Sequence, residues 1–565
     1  MDAEPTESGR QATALVGALV AAGLRRVVVS PGSRSTPLAL ACAEREELLL
    51  RVILDERSAA FYALGLADRR REPVALVCTS GSAPAHWLPA VIEASYRRVP
   101  LLLLSADRPP ELRECGAGQT IDQLPLFGPY TRWRVDAVAP PGEEGDRYAA
   151  SLGTRAWRAA RGPVPGPVHL NLPYREPFLP VPGVPRSALP PDPSPEPAWG
   201  GATRTDVDWG EVRAAGPGWI VAGCAQAPDP HAWAEGLFRV SDVLGWPVLA
   251  DVTSPARFAL GASGRVVTHY EAIVGRGEEA LGRDGLLPRA LLQVGPQPTA
   301  KPLRQLLARL DLPRWQWSPD PALLDPSRQP LTWIGGDPSD PGELPDSPPP
   351  DPSYRERWRA ADRLARTRVE AALRELPEDS EPGLYPVLAE CLPEGGQLFL
   401  ASSQPVRDAE RFLPDVRAGG VRVFSNRGAN GIDGLVSTAA GLADGGPPTL
   451  AVLGDLAFLH DAGGLRALAE VDGSLTFVIP ANGGGRIFDH LPVRGRTRHY
   501  ERLFLTPQEV DLPGLCAAHG IAARIVRGRE ELRRELREFP AGGRVLVYPC
   551  DGEGDRERRA AILRG

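Results

Sequence analysis

The stretch IPANGGGRIF, Ile479 to Phe488, carries an apolar run into an asparagine followed by three glycines. Glycine amides can cradle a phosphate, and a loop of the Walker type sets a lysine beside them to meet its charge. No lysine stands in this stretch, and Lys301 is the single lysine of the chain. The run is then either a flexible turn or half of a site in which another cation balances an anion. A divalent metal would serve, and it needs hard oxygen ligands from carboxylates, amides or carbonyls. The run PTLAVLGD ends in Gly454 and Asp455, with Leu456 next, and Asp455 precedes Asn482 by 27 positions. That spacing suits two strand ends joined by one crossover helix, for which DAGGLRALAEV provides the pattern. Asp455, Asn482 and the Gly484 carbonyl would then hold a magnesium ion with open positions for a diphosphate. The alternative is structural, with Asp455 as a helix N-cap and Asn482 as a turn residue.

The elements that must position these residues repeat one theme. Short apolar runs alternate with helical patterns: RVVVS, PVALVCTS, PLLLLSA and GPVHLNLP in the first part, GWIVAGC, PVLADV, ALLQVG and LTWIGG in the middle. QLFLAS, VRVFSN, PTLAVLGD, LTFVIPAN and RVLVYP follow in the last part. Such runs between helices mean parallel sheets of βαβ units, whose ligands gather at the carboxyl ends of the strands. Two proline-dense stretches, Leu179 to Pro197 and Pro338 to Ser353, read as extended linkers. The expected fold is α/β, three doubly wound parallel-sheet domains at 1–180, 198–340 (Rossmann-like) and 355–565. No sequence repeat relates the first and last, although they could share a fold.

Composition narrows the function classes. The length of 565 residues predicts about three or four domains. Apolar and charged fractions of 42% and 24% are those of a soluble globular chain. A net charge of −7 excludes a general nucleic-acid binder and leaves single anionic pockets open. The near absence of lysine, with 61 prolines and 60 glycines, reads as a GC-rich coding bias. Seven scattered cysteines without a Cys-x-x-Cys pair predict a reduced chain with no zinc site. The apolar run from Ala12 to Leu24 is short, broken by glycine and lacks a basic start, so neither a membrane span nor a signal peptide is expected. These features together predict a cytoplasmic protein.

Gly-Asp followed after about 27 residues by Asn and Gly is similar to the diphosphate-metal motif of thiamine diphosphate enzymes. Longer stretches sharpen the likeness: SPGSRSTPLALA at 30–41, LDERSAAFYALGLA at 54–67 and PAVIEASYRRVPLLLLSADRPPELRECGAGQTIDQ at 89–123. SNRGANGIDGLVSTAAGLA at 425–443 and GDLAFLHDAGGL at 454–465 continue it. In this order they resemble the 2-succinyl-5-enolpyruvyl-6-hydroxy-3-cyclohexene-1-carboxylate synthases, the thiamine diphosphate-dependent family of menaquinone (vitamin K2) biosynthesis. The resemblance implies a transferase that decarboxylates 2-oxoglutarate and adds the succinyl unit to isochorismate, using Mg2+ or Mn2+. It labels the end domains pyrimidine-binding and diphosphate-binding.

The resemblance also distributes roles. Glu56 would be the catalytic acid that hydrogen-bonds the cofactor's aminopyrimidine; a solvated helix start is its plainer reading. Asp455, Asn482 and Gly484 would hold the metal, with Ser403, Ile432, Gly454, Leu456 and Ile487 also lining the cofactor. Both substrates are polyanions, and a guanidinium grips a carboxylate with two hydrogen bonds without losing its charge. Arg34, Arg108 and Gln119 would receive isochorismate, while Ser403, Arg407 and Arg427 hold carboxylates beside an apolar wall of Ile487 and Phe488. Lys301 follows a middle-domain strand and could approach the site. The chain departs from the family pattern at Pro480, Ala481, His86 and Gly118, each where asparagine is usual. A homodimer or homotetramer with active sites at the subunit interface is implied, with no nucleic-acid partner. Two other functions stay open: a different thiamine-dependent 2-oxo acid decarboxylase, and a non-catalytic ligand-binding homologue.

Overall fold

Eighteen strands fall into three sheets of six, every recorded pairing parallel, in a computed structural model that describes residues 6–179 and 207–564 apart from 226, 262, 263, 323, 347, 350, 417 and 418. The first sheet contains β1 (Arg26–Val29), β2 (Leu49–Val52), β3 (Val74–Cys78), β4 (Leu101–Asp107), β5 (Trp133–Asp136) and β6 (Val168–Pro173). The middle sheet contains β7 (Gly218–Ala222), β8 (Val248–Ala250), β9 (Val266–Val267), β10 (Ala290–Val294), β11 (Arg314–Trp317) and β12 (Thr332–Ile334). The third contains β13 (Gln397–Leu400), β14 (Arg422–Phe424), β15 (Thr449–Val452), β16 (Ser474–Ala481), β17 (Ala522–Ile525) and β18 (Gly542–Pro549). The three-sheet α/β architecture expected from the strand and helix patterns is therefore present.

The first and third sheets share one strand order. The first runs β2-β1-β3-β4-β6-β5 and the third β14-β13-β15-β16-β18-β17, so each has its switch point between its first and third strands. The middle sheet runs β12-β11-β10-β7-β8-β9, the order of a dinucleotide-type sheet. Central strands are apolar throughout because both faces are covered: β3, β4, β7 and β15 are buried at every residue.

By contacts the described residues form two compact units. One comprises those within 1–200 with Asn426–Gly446 and His460–Gly473, the other those in Gly201–Ser425, Pro447–Leu459 and Ser474–Gly565. In the first unit the helix Glu56–Arg70 is capped by Asp55, which accepts from the amides of Arg57 and Ser58. That helix meets Leu435–Ala443 through facing glycines. A Cβ on Gly65 would lie 2.2 Å from the Thr438 carbonyl oxygen, and one on Gly441 2.0 Å from that of Tyr62. In the second unit the helix Pro352–Arg374 spans two cores: Tyr354 and Trp358 pack with Trp219 under the middle sheet, Val369 and Leu373 with Leu398 and Val406 under the third.

Most of the first proline-dense stretch lies outside the described residues. The second does more than link. Pro341 accepts a hydrogen bond from buried Trp209 at 2.7 Å, and the Pro338 carbonyl lies so close to Gly236 that a Cβ there would sit 1.7 Å away. That stretch is thereby laid along the middle sheet's helices. No helix among the described residues is long and apolar enough to cross a membrane.

Candidate active site

At the carboxyl edge of the first sheet, the loops after β1, β3 and β4 converge on Ser80 and Gly81. The first two loops touch at Gly32, where a Cβ would lie 2.3 Å from the Thr79 Cβ. Arg34 donates to the Tyr174 carbonyl at 2.9 Å and to Glu176 at 3.4 Å, with its guanidinium over the Phe178 ring. Burial, and then the charge of neighbouring Arg108, lower its pKa from the ordinary arginine value. Arg108 donates to the Ser80 hydroxyl, and Gln119 Nε2 to the Ser80 carbonyl at 2.9 Å. The structure thus brings Arg34, Arg108 and Gln119 close together at the switch point, where such sheets bind ligands.

Gln123, which the sequence reading did not single out, ties these loops together. Its Oε1 accepts from the Gly81 amide at 2.8 Å while its Nε2 donates to Ala106 and to Asn171. Asn171 in turn donates to Asp107 and Asp136, and Arg113 clamps Asp136 with two hydrogen bonds. Ser105 and His169 extend the network inward, where burial lowers the His169 pKa to about 3 and keeps the ring neutral.

Glu56 heads its helix, half-buried, and its charge lies near enough to raise the pKa of Cys78 at the end of β3, after burial, the larger cause. Arg427 and Ile432 stand on the loop ahead of Leu435–Ala443 in the same unit. That loop is tied down by Glu93, which accepts from the amides of Gly428 and Ala429 at 2.8 and 2.5 Å. Ile432 is 39% exposed. His86 is exposed in a short turn, and a Cβ on Gly118 would meet nothing within 4 Å.

The third sheet builds its site from backbone, at the carboxyl ends of β15 and β16. Asp455 follows β15; its Oδ2 accepts from the amides of Gly483 and Gly484, both at 3.0 Å, and its Oδ1 from Leu456 at 2.7 Å. Burial raises its pKa and the three amides oppose that. Gly483 and Gly484 have φ of 79° and 122°, and a Cβ on Gly484 would lie 2.2 Å from the Leu505 carbonyl oxygen, so glycine is required there. Asn482 is 6% exposed; its Nδ2 donates to Glu381 at 3.1 Å while its Oδ1 is buried without a hydrogen-bond partner. A carboxylate and an orphaned amide oxygen beside a glycine loop without lysine fit a hard divalent cation. The Gly484 carbonyl, the third expected ligand, accepts from the Arg486 amide at 2.8 Å. Among the described residues, no group of three or more His, Cys, Asp and Glu side chains has metal-holding geometry. The loop's donors are instead one carboxylate, one amide and backbone.

Pro480 and Ala481 close β16. Val478 still accepts from Leu453 beyond β15, and Ala481 accepts from Cys550 on the opposite side. Backbone groups alternate sides along a strand, so Pro480 points where the β15 ladder has ended and its missing amide costs no ladder bond. Ile487 is half-buried, and Phe488 is 36% exposed with its ring edge-on to Phe504. Gly454 is half-buried ahead of Asp455. Ser403 precedes the helix Gln404–Phe412, and Arg407 curls back to the Ser403 carbonyl at 2.6 Å. Lys301 is exposed at the start of Lys301–Leu307.

Comparisons with known proteins identify relatives of the chain. Residues 10–126 match the family described as thiamine pyrophosphate enzyme, N-terminal TPP binding domain. The chain is 41% identical to the 2-succinyl-5-enolpyruvyl-6-hydroxy-3-cyclohexene-1-carboxylate synthase of Synechococcus sp. (strain JA-3-3Ab), over 96% of this chain and 94% of that one. It is 40% identical to the same-named protein of Thermosynechococcus vestitus, over 98% and 97%. A solved structure described as a putative thiamin diphosphate-dependent enzyme from Mycobacterium smegmatis shares the fold, with a TM-score of 0.67 at 16% identity over 96% of this chain and 99% of that one. Identity at this level along nearly the whole chain, together with the two strand-end sites, decides the matter: the chain belongs to the 2-succinyl-5-enolpyruvyl-6-hydroxy-3-cyclohexene-1-carboxylate synthase family of thiamine diphosphate-dependent enzymes.

Proposed function

We propose that the protein joins 2-oxoglutarate and isochorismate in menaquinone biosynthesis, with thiamine diphosphate and Mg2+ (or Mn2+) as cofactors. The C1–C2 bond of the oxo acid breaks, CO2 leaves, and the remaining four-carbon unit becomes bonded to the isochorismate ring. Bound thiamine diphosphate supplies the electron sink that makes loss of CO2 feasible. The observation that carries the reading is the convergence of Arg34, Arg108 and Gln119 at one switch point in a chain of this family.

In this reading the two guanidinium groups pair with the acceptor's carboxylates, and Gln119 orients its hydroxyl or enol ether oxygen. Asp455, the Asn482 Oδ1 and the Gly484 carbonyl hold the cation, and the loop's glycines let the diphosphate approach. Gly454, Leu456, Ser403, Ile432 and Ile487 shape the cofactor's surroundings. Glu56 keeps a hydrogen bond to a ring nitrogen of the aminopyrimidine. Ser403, Arg407 and Arg427 retain the donor's carboxylates, while Ile487 and Phe488 exclude water, which favours the charge-dispersed transition state for loss of CO2. The protein acts in the cytoplasm as a homodimer or homotetramer whose active sites lie at the subunit interface. Its dispersed free cysteines accord with a reducing compartment.

The test is consumption of 2-oxoglutarate with and without isochorismate. Turnover that requires isochorismate supports the reading, whereas equal CO2 release without it would make the protein a plain decarboxylase. Glu56→Gln is expected to keep the fold by circular dichroism and to abolish turnover.

A further inference from the structure

The amide of Asn482 can present either end to the glycine loop, and only its oxygen can ligate a cation. What turns it lies 101 positions away: Glu381, which is 1% exposed, accepts from Asn482 Nδ2 at 3.1 Å. Glu381 Oε2 also accepts from Arg559 Nη2 at 2.6 Å, on the helix Gly552–Arg564. Arg559 is itself fixed by Asp408, to which its Nε and Nη2 donate at 2.9 and 2.7 Å. Asp555 on the same helix accepts from the Ser380 hydroxyl at 2.6 Å and the Glu381 amide at 2.7 Å, pinning the backbone that carries Glu381. Gly552 presses on the loop from that helix, where a Cβ would lie 2.4 Å from the Asn482 carbonyl oxygen.

An oxygen that already receives two N–H donors has no proton to give. Facing it, the Asn482 amide must turn its NH2 inward, and its oxygen is left buried without a hydrogen-bond partner. We propose that Glu381, braced by Arg559, is a positioning residue that selects the ligating orientation of Asn482 and so sets the cation affinity of the Asp455 loop. This rests on the reading of that loop as the metal site. The brace reaches further, because Asp408 also accepts from Gln404 at 2.5 Å, at the first turn of the helix that follows Ser403.

The experiment titrates Mg2+ into the full-length protein with saturating thiamine diphosphate by calorimetry, and Mn2+ by electron paramagnetic resonance. Wild type that shows no cation binding overturns the metal reading itself; wild type that binds leaves the variants to judge the brace. Glu381→Gln places an amide donor opposite Asn482, able to draw its oxygen inward, and is expected to weaken binding about 10- to 100-fold. Asn482→Asp sets its own carboxylate against that of Glu381 and should weaken it comparably. The double variant should recover at least about tenfold over Asn482→Asp, since the amide introduced by Glu381→Gln would donate to one aspartate oxygen and leave the other for the cation. Additive losses, or unchanged affinity in Glu381→Gln, would refute the proposal. If Glu381→Gln fails to fold, Arg559→Lys serves: it touches no ligand, yet loosening Glu381 should cost several-fold in cation affinity, and an affinity equal to wild type would refute the proposal equally.

Discussion

Two sheets with the same strand order carry the two candidate sites, and they build them by opposite means. At the switch point of the first sheet, long side chains lean on backbone oxygens: Arg34 on Tyr174, Gln119 on Ser80. In the third sheet, backbone amides of Gly483 and Gly484 lean on the side chain of Asp455. A site made of side chains can alter its ligand one substitution at a time while the loops beneath it stay in place. One made of backbone tolerates little, because a single added Cβ collides with another stretch of chain. On the proposed reading, the first design serves recognition of the acceptor and the second retention of the cofactor.

Asp455→Ala should break the second site most severely. It removes the acceptor of two loop amides and, on the proposed reading, a metal ligand with it, so cation-dependent binding of thiamine diphosphate should weaken by at least about 100-fold in calorimetry. Arg34→Ala or Arg108→Ala should raise the KM for isochorismate about 10- to 100-fold, the worth of a charge-assisted hydrogen bond, and leave that for 2-oxoglutarate nearly unchanged. A matching rise in both constants would dissolve the division of labour.

Two alanines sharpen the contrast in stability. Gly484→Ala meets the Leu505 carbonyl oxygen at 2.2 Å on a left-handed backbone and should cost about 1–3 kcal/mol in thermal or denaturant unfolding. Gly118→Ala, where a Cβ meets nothing within 4 Å, should leave the midpoint unchanged.

The last contrast concerns neither ligand. Burial of Glu410, on the helix that carries Arg407, raises its pKa from the ordinary 4.5 to about 8, with Asp251 adding and Arg257 opposing. The unfolded chain releases that proton near pH 4.5 and the folded one holds it towards pH 8, so this group's contribution is full at low pH and is lost as pH rises between those values. Wild type should therefore lose more thermal stability from pH 5 to pH 8 than Glu410→Gln does.

Sequence made the central strands legible because burial on both faces leaves an unbroken apolar run. β5 and β17 escaped notice because Arg134 and Arg524 break their short apolar runs, and so did the buried, internal β11, whose run is broken by Arg314 and Gln316, and the two-residue β9. The kinship of the first and third sheets was equally hidden, since strand order is a property of connection and leaves no repeat in residue types. Asp455, Asn482 and the glycines were legible because they are close in sequence and limited in chemistry. Glu381 and Arg559 were not, since each sits more than seventy positions from Asn482, and nothing local distinguishes a buried charge from a solvated one. Gln123 fell within a recognised stretch, but its bond to Gly81 depends on a turn that only the folded chain forms.

The facing glycines of Glu56–Arg70 and Leu435–Ala443 bear on how the enzyme should fail when heated. Gly65 lies nine residues, about 14 Å of helix, beyond Glu56. Contact between bare backbones has no rotamer through which to yield gradually, so the helix is either seated or lifted away. Inactivation on warming should therefore coincide with loss of near-ultraviolet dichroism, with no earlier decline as the acid drifts from its place.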